Sequence, residues 1–135
     1  MILGVGVDIV EIQRIKEAIN RNNNFLDKVF TSLELDYLKS RNFKVESIAG
    51  RFASKEAVAK ALGTGFRGFG LKDIEIGQND LGKPNVTLKG TADDIASKSG
   101  KYKIHISISH SSDNAIAYAV LESEDHENRN GRNIK

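Results

Sequence analysis

Residues 51–63 read RFASKEAVAKALG, and together with the lead-in from Val45 they carry the 3.6-residue spacing of a helix. At about 100° per residue, Val45, Ile48, Ala49, Phe52 and Ala59 share one arc, while Glu46, Ser47, Arg51 and Ser54 fall away from it. Glu56 falls in the middle of that arc. An isolated carboxylate facing a core costs several kcal/mol or is forced to take up a proton, so Glu56 needs a partner. One solution is an ion pair with Lys60, four residues on, in the favoured order of acid before base. The other is a cation brought in from outside the chain.

A buried helix needs an apolar surface to lie on. Residues 2–10, ILGVGVDIV, are glycine-punctuated and rich in valine and isoleucine, which suits a strand buried on both faces. Alternation puts Ile2, Gly4, Gly6 and Asp8 on one face and Leu3, Val5, Val7 and Ile9 on the other. Asp8 thus stands beside two absent side chains, and glycine in a strand marks the close approach of a ligand or another backbone. A helix cap or a hydrogen bond to a buried amide would account for Asp8 alone. Two inward acids in one small core, however, repel each other unless a cation lies between them. Their oxygens, without histidine or cysteine partners, suit a hard ion. Magnesium in particular takes one or two protein carboxylates and completes its shell with water and substrate phosphates.

The rest of the chain supplies elements around this pair. EIQRIKEAINR is an amphipathic helix with Ile12, Ile15 and Ile19 on its stripe and Arg14, Lys16 and Arg21 on a basic flank. That flank is either solvated or a dock for an acidic partner helix. Thr31 and Glu34 make a capping box for a second helix, with Leu35 and Leu38 as its buried stripe. After the Glu56 helix, GTGFRGFG holds four glycines in eight residues; Gly63, Gly65, Gly68 and Gly70 are able to offer backbone amides to an anion. This loop follows a helix and lacks the spacing of a P-loop. LKDIEIG and NVTLKG read as two strands around an NDLGKP turn, with Lys83 a solvated turn residue. Thr91 with Asp94 caps a short helix to Ala96. YKIHISISH and NAIAYAVLE are two further strands, and His110 ends the first of them. From Ser123 the chain is polar and without a stripe, so residues 1–122 are expected to form one domain and 123–135 a frayed tail.

Composition narrows the functional classes. The 135 residues include no cysteine, which rules out a disulfide framework, a thiolate metal site and a cysteine nucleophile. A net charge of +2 is too small for an extended nucleic-acid footprint. Asp8 and Glu11 interrupt the apolar start far short of the about 20 residues that a membrane span needs, and no basic leader precedes it. A cytoplasmic protein with no membrane partner is expected.

Four blocks, GVDIVEIQRI, RFASKEAVAKALGTG, NDLGKP and SISHSSDNAIAYAVLE, resemble in order and spacing those of the holo-acyl-carrier-protein synthases, the short bacterial type of 4'-phosphopantetheinyl transferase. The resemblance spans about residues 1–122. It departs at Ser54, where that family often has alanine, and at Ser111, where threonine commonly follows the histidine; neither removes an ionisable group. The resemblance implies an α+β fold, an antiparallel sheet packed with a long helix, in a homotrimer with coenzyme A bound between neighbours. It implies transfer of the phosphopantetheine arm of coenzyme A to a serine of apo acyl carrier protein, releasing adenosine 3',5'-bisphosphate, a step that serves fatty acid biosynthesis. Asp8 and Glu56 would hold Mg2+, Lys60 would neutralise the diphosphate, and Gly63 and His110 would meet coenzyme A, His110 at its nucleotide end. Arg14 and Arg21 would face the acidic recognition helix of the carrier protein. A metal-activated water, Asp8 and Glu56 are the candidates for the base that takes the serine proton. A magnesium-dependent phosphohydrolase and a noncatalytic carrier-binding module remain as alternatives.

Overall fold

Two glycines set the layering of the molecule. In the computed structural model, which describes residues 1–124, Ile2–Glu11 form strand β1, and Val45–Leu62 form an 18-residue helix, α4. A Cβ on Gly4 would stand 1.9 Å from the Ala61 carbonyl oxygen, and one on Gly6 would stand 2.0 Å from that of Ala57. The helix backbone therefore lies directly on the strand, so the close approach marked by these glycines is to another backbone. The next residue on the same face of β1 is Asp8, which is thereby carried toward the preceding turn of α4.

β1 pairs antiparallel with β5 (Asn114–Ser123), and β5 pairs antiparallel with β4 (Tyr102–His110), giving the order β1-β5-β4. The register aligns Asp8 with Ala117 and Ala117 with Ile108. Small side chains continue the flat seat for the helix: Ala115, Ala117 and Ala119 on β5 are all buried. β2 (Ile74–Gln78) and β3 (Pro84–Leu88) form a separate antiparallel hairpin. Its turn is closed by Asn79, whose Oδ1 accepts the amides of Leu81 and Lys83. Between β1 and α4 come α1 (Ile12–Arg21), α2 (Phe25–Val29) and α3 (Ser32–Ser40). They pack Ile12, Ile15, Phe30 and Leu38 onto Ile48 and Ala49 at the start of α4. The capping box of Thr31 and Glu34 opens α3 as expected.

Several sequence expectations need correction. α4 is buried on nearly all sides, with Arg51, Ser54 and Lys55 more enclosed than Glu56, because sheet, hairpin and α1 surround it. A single apolar arc does not describe a helix that runs through the centre of its domain. The Ser54 hydroxyl is accommodated there by donating to the Gly50 carbonyl at 2.8 Å. β1 is covered on one face only, and Leu3, Val5, Val7 and Ile9 stay exposed with Ile116 and Tyr118 of β5 beside them. Leu71–Asp73 form a 3₁₀ turn ahead of β2. The short helix α5 (Gly90–Ala96) starts one residue before Thr91 with no side-chain cap at Lys89. β5 continues to Ser123, whose N–H donates to the Met1 carbonyl at 2.8 Å. The rest of the expected tail, residues 125–135, lies outside the described residues.

Candidate active site

Asp8 comes to α4 on the glycine face of β1, and Glu56 and Lys60 come to Asp8 one helical turn apart on α4. Lys60 Nζ donates to Asp8 Oδ1 at 3.1 Å and to the Val7 carbonyl at 3.0 Å. The helix-internal ion pair with Glu56 is therefore not the role of Lys60. Among the described residues Glu56 has neither a side-chain hydrogen bond nor an ion pair. Burial raises its carboxyl above the usual glutamate range, the Asp8 charge adds to that rise, and Lys60 opposes it. Two acids distant in sequence thus come close enough for the charge of one to act on the other.

The donor set fits a hard cation. No cluster of three or more histidine, cysteine, aspartate or glutamate residues exists among the described residues, so an all-protein cage is excluded there. An unpartnered carboxylate facing a second one matches an ion that draws its remaining ligands from water and a phosphate substrate. The cation would relieve the repulsion that now raises Glu56.

Two strands away from Asp8 lies a cavity of about 480 Å³, lined by Tyr37, Glu46, Arg51, Lys83, Ile108 and His110 among others and by neither carboxylate. Ile108 is two strands across from Asp8 in register, roughly 10 Å at ordinary strand spacing. His110 lines the cavity, with its Nδ1 3.3 Å from the Ser111 carbonyl. The Ser111 hydroxyl oxygen accepts the amides of Asp113 and Asn114, which shapes the adjoining turn.

Arg51 was read as lying off the buried arc, yet it is only 6% exposed. Its guanidinium lies 4.3 Å from the Tyr37 ring centroid, and its Nη2 donates to Gln78 at 3.2 Å. Its Nη1 is buried without a partner. An orphaned guanidinium nitrogen at a cavity wall is free to donate to a water or an anion. Lys83, exposed in the turn as expected, also lines the same cavity. An adjoining recess adds Arg41 and Lys44 to Tyr37, Glu46 and His110, so the mouth is basic.

Gly63 caps α4 in the left-handed conformation, φ 81°, and its N–H donates to the Lys60 carbonyl. Its amide is already used, so the expectation that Gly63 presents it to coenzyme A gives way to a capping role. Arg14 and Arg21 sit two turns apart on the exposed side of α1, Arg14 paired with Glu11 at 2.8 Å. They lie on the surface, apart from the cavity lining. One buried pair escaped the sequence reading altogether: Lys55 and Glu34, joined at 2.8 Å with neither in contact with solvent. Burial pulls the Lys55 ammonium below the usual lysine range, against the Glu34 hydrogen bond and charge.

No helix among the described residues is long and apolar enough to cross a membrane. Comparison with known proteins converges on one family. The family model for the 4'-phosphopantetheinyl transferase superfamily matches residues 4–119. The holo-[acyl-carrier-protein] synthase of Clostridium kluyveri is 62% identical over 122 residues, covering 90% of this chain and 91% of that protein. That of Clostridium novyi is 57% identical over 130 residues, covering 96% and 94%. Among solved structures, the synthase of Neisseria meningitidis superposes with a TM-score of 0.83 at 34% identity, covering 91% of this chain and all of that one. The synthase of Bacillus anthracis in complex with CoA (3',5'-ADP) gives 0.75 at 36% identity, covering 92% and 99%. With a family match over most of its length, and with antiparallel strands and a central helix like those of solved members, the chain belongs to the 4'-phosphopantetheinyl transferase superfamily.

Proposed function

We propose that this protein is a magnesium-dependent holo-[acyl-carrier-protein] synthase. It moves the 4'-phosphopantetheine arm of coenzyme A to a serine hydroxyl of apo acyl carrier protein, in the cytoplasm, and releases adenosine 3',5'-bisphosphate. The observation that carries this reading is the mutual influence of Asp8 and unpartnered Glu56, in a fold that also holds, two strands across the sheet, a basic cavity with an orphaned arginine nitrogen.

Asp8 and Glu56 would hold the magnesium ion, which when bound there supplies positive charge to the diphosphate. The carrier serine oxygen attacks the β-phosphorus while its proton passes to a base, Asp8, Glu56 or a bound water; the bond to the bridging oxygen breaks, and charge builds on the departing bisphosphate. Lys60, an ammonium already poised over Asp8, offsets that charge where it develops. Arg51, Lys83 and His110 hold the nucleotide end, with the free Arg51 Nη1 directed to a phosphate oxygen. Arg14 and Arg21 orient the carrier protein through its acidic helix, a contact that sets encounter rate and register more than chemistry.

The exposed apolar face of β1 and β5 supports assembly into a homotrimer. Val5, Val7, Ile9, Ile116 and Tyr118 form a contiguous patch by register, of the kind that marks a protein interface. Coenzyme A bound between neighbours follows from the same reading, since His110 also borders Ile9 and Ile116 at the edge of that patch.

Intact-mass analysis of apo acyl carrier protein, incubated with this protein, coenzyme A and magnesium, tests the function. A gain of one phosphopantetheinyl group is expected, and only with magnesium present. Cleavage of coenzyme A without an acceptor would instead identify a phosphohydrolase, and an unchanged mass with stable complex formation a binding module.

A further inference from the structure

Lys55 is the side chain next to Glu56, and it is wholly enclosed. Its Nζ donates to Glu34 Oε1 at 2.8 Å, to the Leu71 carbonyl at 2.9 Å and to the Ile74 carbonyl at 2.6 Å. The Phe30 ring centroid lies 5.5 Å from it. Glu34 completes the set: Oε1 also accepts the Thr31 amide at 2.8 Å, and Oε2 accepts the Ile76 amide at 2.7 Å. All three ammonium protons are used, and α3, α4, the 3₁₀ turn and β2 are joined through one nitrogen.

Stability alone does not explain such a group. An apolar pair of similar volume does as well in a core or better, because two charges need not then leave water. What an ammonium adds is direction. α4 presents Gly50, Ala53, Ala57, Ala59 and Ala61 to its surroundings, and a surface of hydrogens and methyl groups resists rotation and sliding weakly. A slip of one residue turns a helix by about 100° and moves it about 1.5 Å. That slip carries Glu56 away from Asp8. Bonds from Lys55 to three separate segments oppose it, one residue from the carboxylate concerned.

From this geometry we infer that the Lys55–Glu34 pair is a positioning device for the active site, fixing the rotation and axial position of α4 so that the Glu56 carboxylate faces Asp8. The inference rests on the reading of Glu56 as a metal ligand. Neither Lys55 nor Glu34 touches substrate; both act through Glu56.

The double substitution Lys55→Met with Glu34→Gln removes the ammonium, leaves no charge buried, and keeps one acceptor oxygen for the amide of either Thr31 or Ile76. Fold is read from cooperative thermal unfolding, and positioning from Mn2+ binding to substrate-free protein by its EPR signal. kcat and KM for coenzyme A are measured below the unfolding transition. The expected result is a folded variant that binds Mn2+ about tenfold or more weakly, with kcat reduced and KM for coenzyme A nearly unchanged. Wild-type Mn2+ affinity and kcat in that folded variant overturn the positioning role and leave a structural one. Should the double variant not fold, Glu34→Gln alone carries the test: weaker Mn2+ binding supports the inference and unchanged binding overturns it. Glu56→Gln in the wild-type background checks the underlying reading separately. If that variant binds Mn2+ and transfers normally, the metal reading fails first, and the inference with it.

Discussion

Under the proposed function, the unfavourable setting of Glu56 belongs to its task as a metal ligand. Its carboxyl is raised by burial first and by Asp8 second, so the folded chain holds that proton to higher pH than the unfolded chain does. Such a group favours the fold while protonated and weakens it as pH rises through its folded value. In metal-free buffer at neutral pH, Glu56→Gln is therefore expected to be more stable than the wild type, with the gap closing as pH falls to the ordinary glutamate range. Urea midpoints at neutral and mildly acidic pH measure this. The same substitution is expected to lower transfer by about a hundredfold or more, the opposition of stability and activity that a functional site shows. A structural ion pair would give the reverse pattern, with stability lost at neutral pH.

At the scale of elements, the contact of β1 with α4 rests on two missing side chains. Gly6→Ala places a methyl group where only 2.0 Å separates it from a carbonyl oxygen. A loss of about 3 kcal/mol is expected by equilibrium unfolding, as for severe overpacking; a loss under about 1 kcal/mol would mean that helix and strand separate easily. On α1, reversing Arg14 and Arg21 to glutamate is expected to raise KM for the carrier protein about tenfold and leave KM for coenzyme A unchanged, as initial rates at fixed salt will report. Much of this arrangement was legible beforehand. Gly4, Gly6 and Asp8 share a face by simple alternation, and Thr31 with Glu34 announces a helix start. What was not legible depends on three-dimensional enclosure. Lys55 and Arg51 have the appearance of solvated helix residues until α3, the hairpin and the 3₁₀ turn close over them. Glu34 reads as a cap, and its second role needs a lysine 21 residues away. Lys83 likewise lies in a polar turn that only the fold brings beside Arg51.

For the whole molecule, one face of the sheet is finished by the protein itself and the other is left apolar. A strand pattern of valine and isoleucine on both faces is consistent with two-sided burial, but a single chain supplies a cover for one side only. The assembly reading accounts for the rest, and Val7→Glu, at the middle of the exposed face, is expected to shift sedimentation from trimer to monomer and to reduce transfer. Unchanged sedimentation would remove this face from the interface. The proposed chemistry nevertheless converges on Asp8 and Glu56. An anomalous difference map from crystals grown with coenzyme A and Mn2+ tests this point most directly. The account predicts one peak in bonding distance of an oxygen from each of Asp8 and Glu56 and of the diphosphate. A Mn2+ site elsewhere, with the diphosphate remote from both carboxylates, would contradict it.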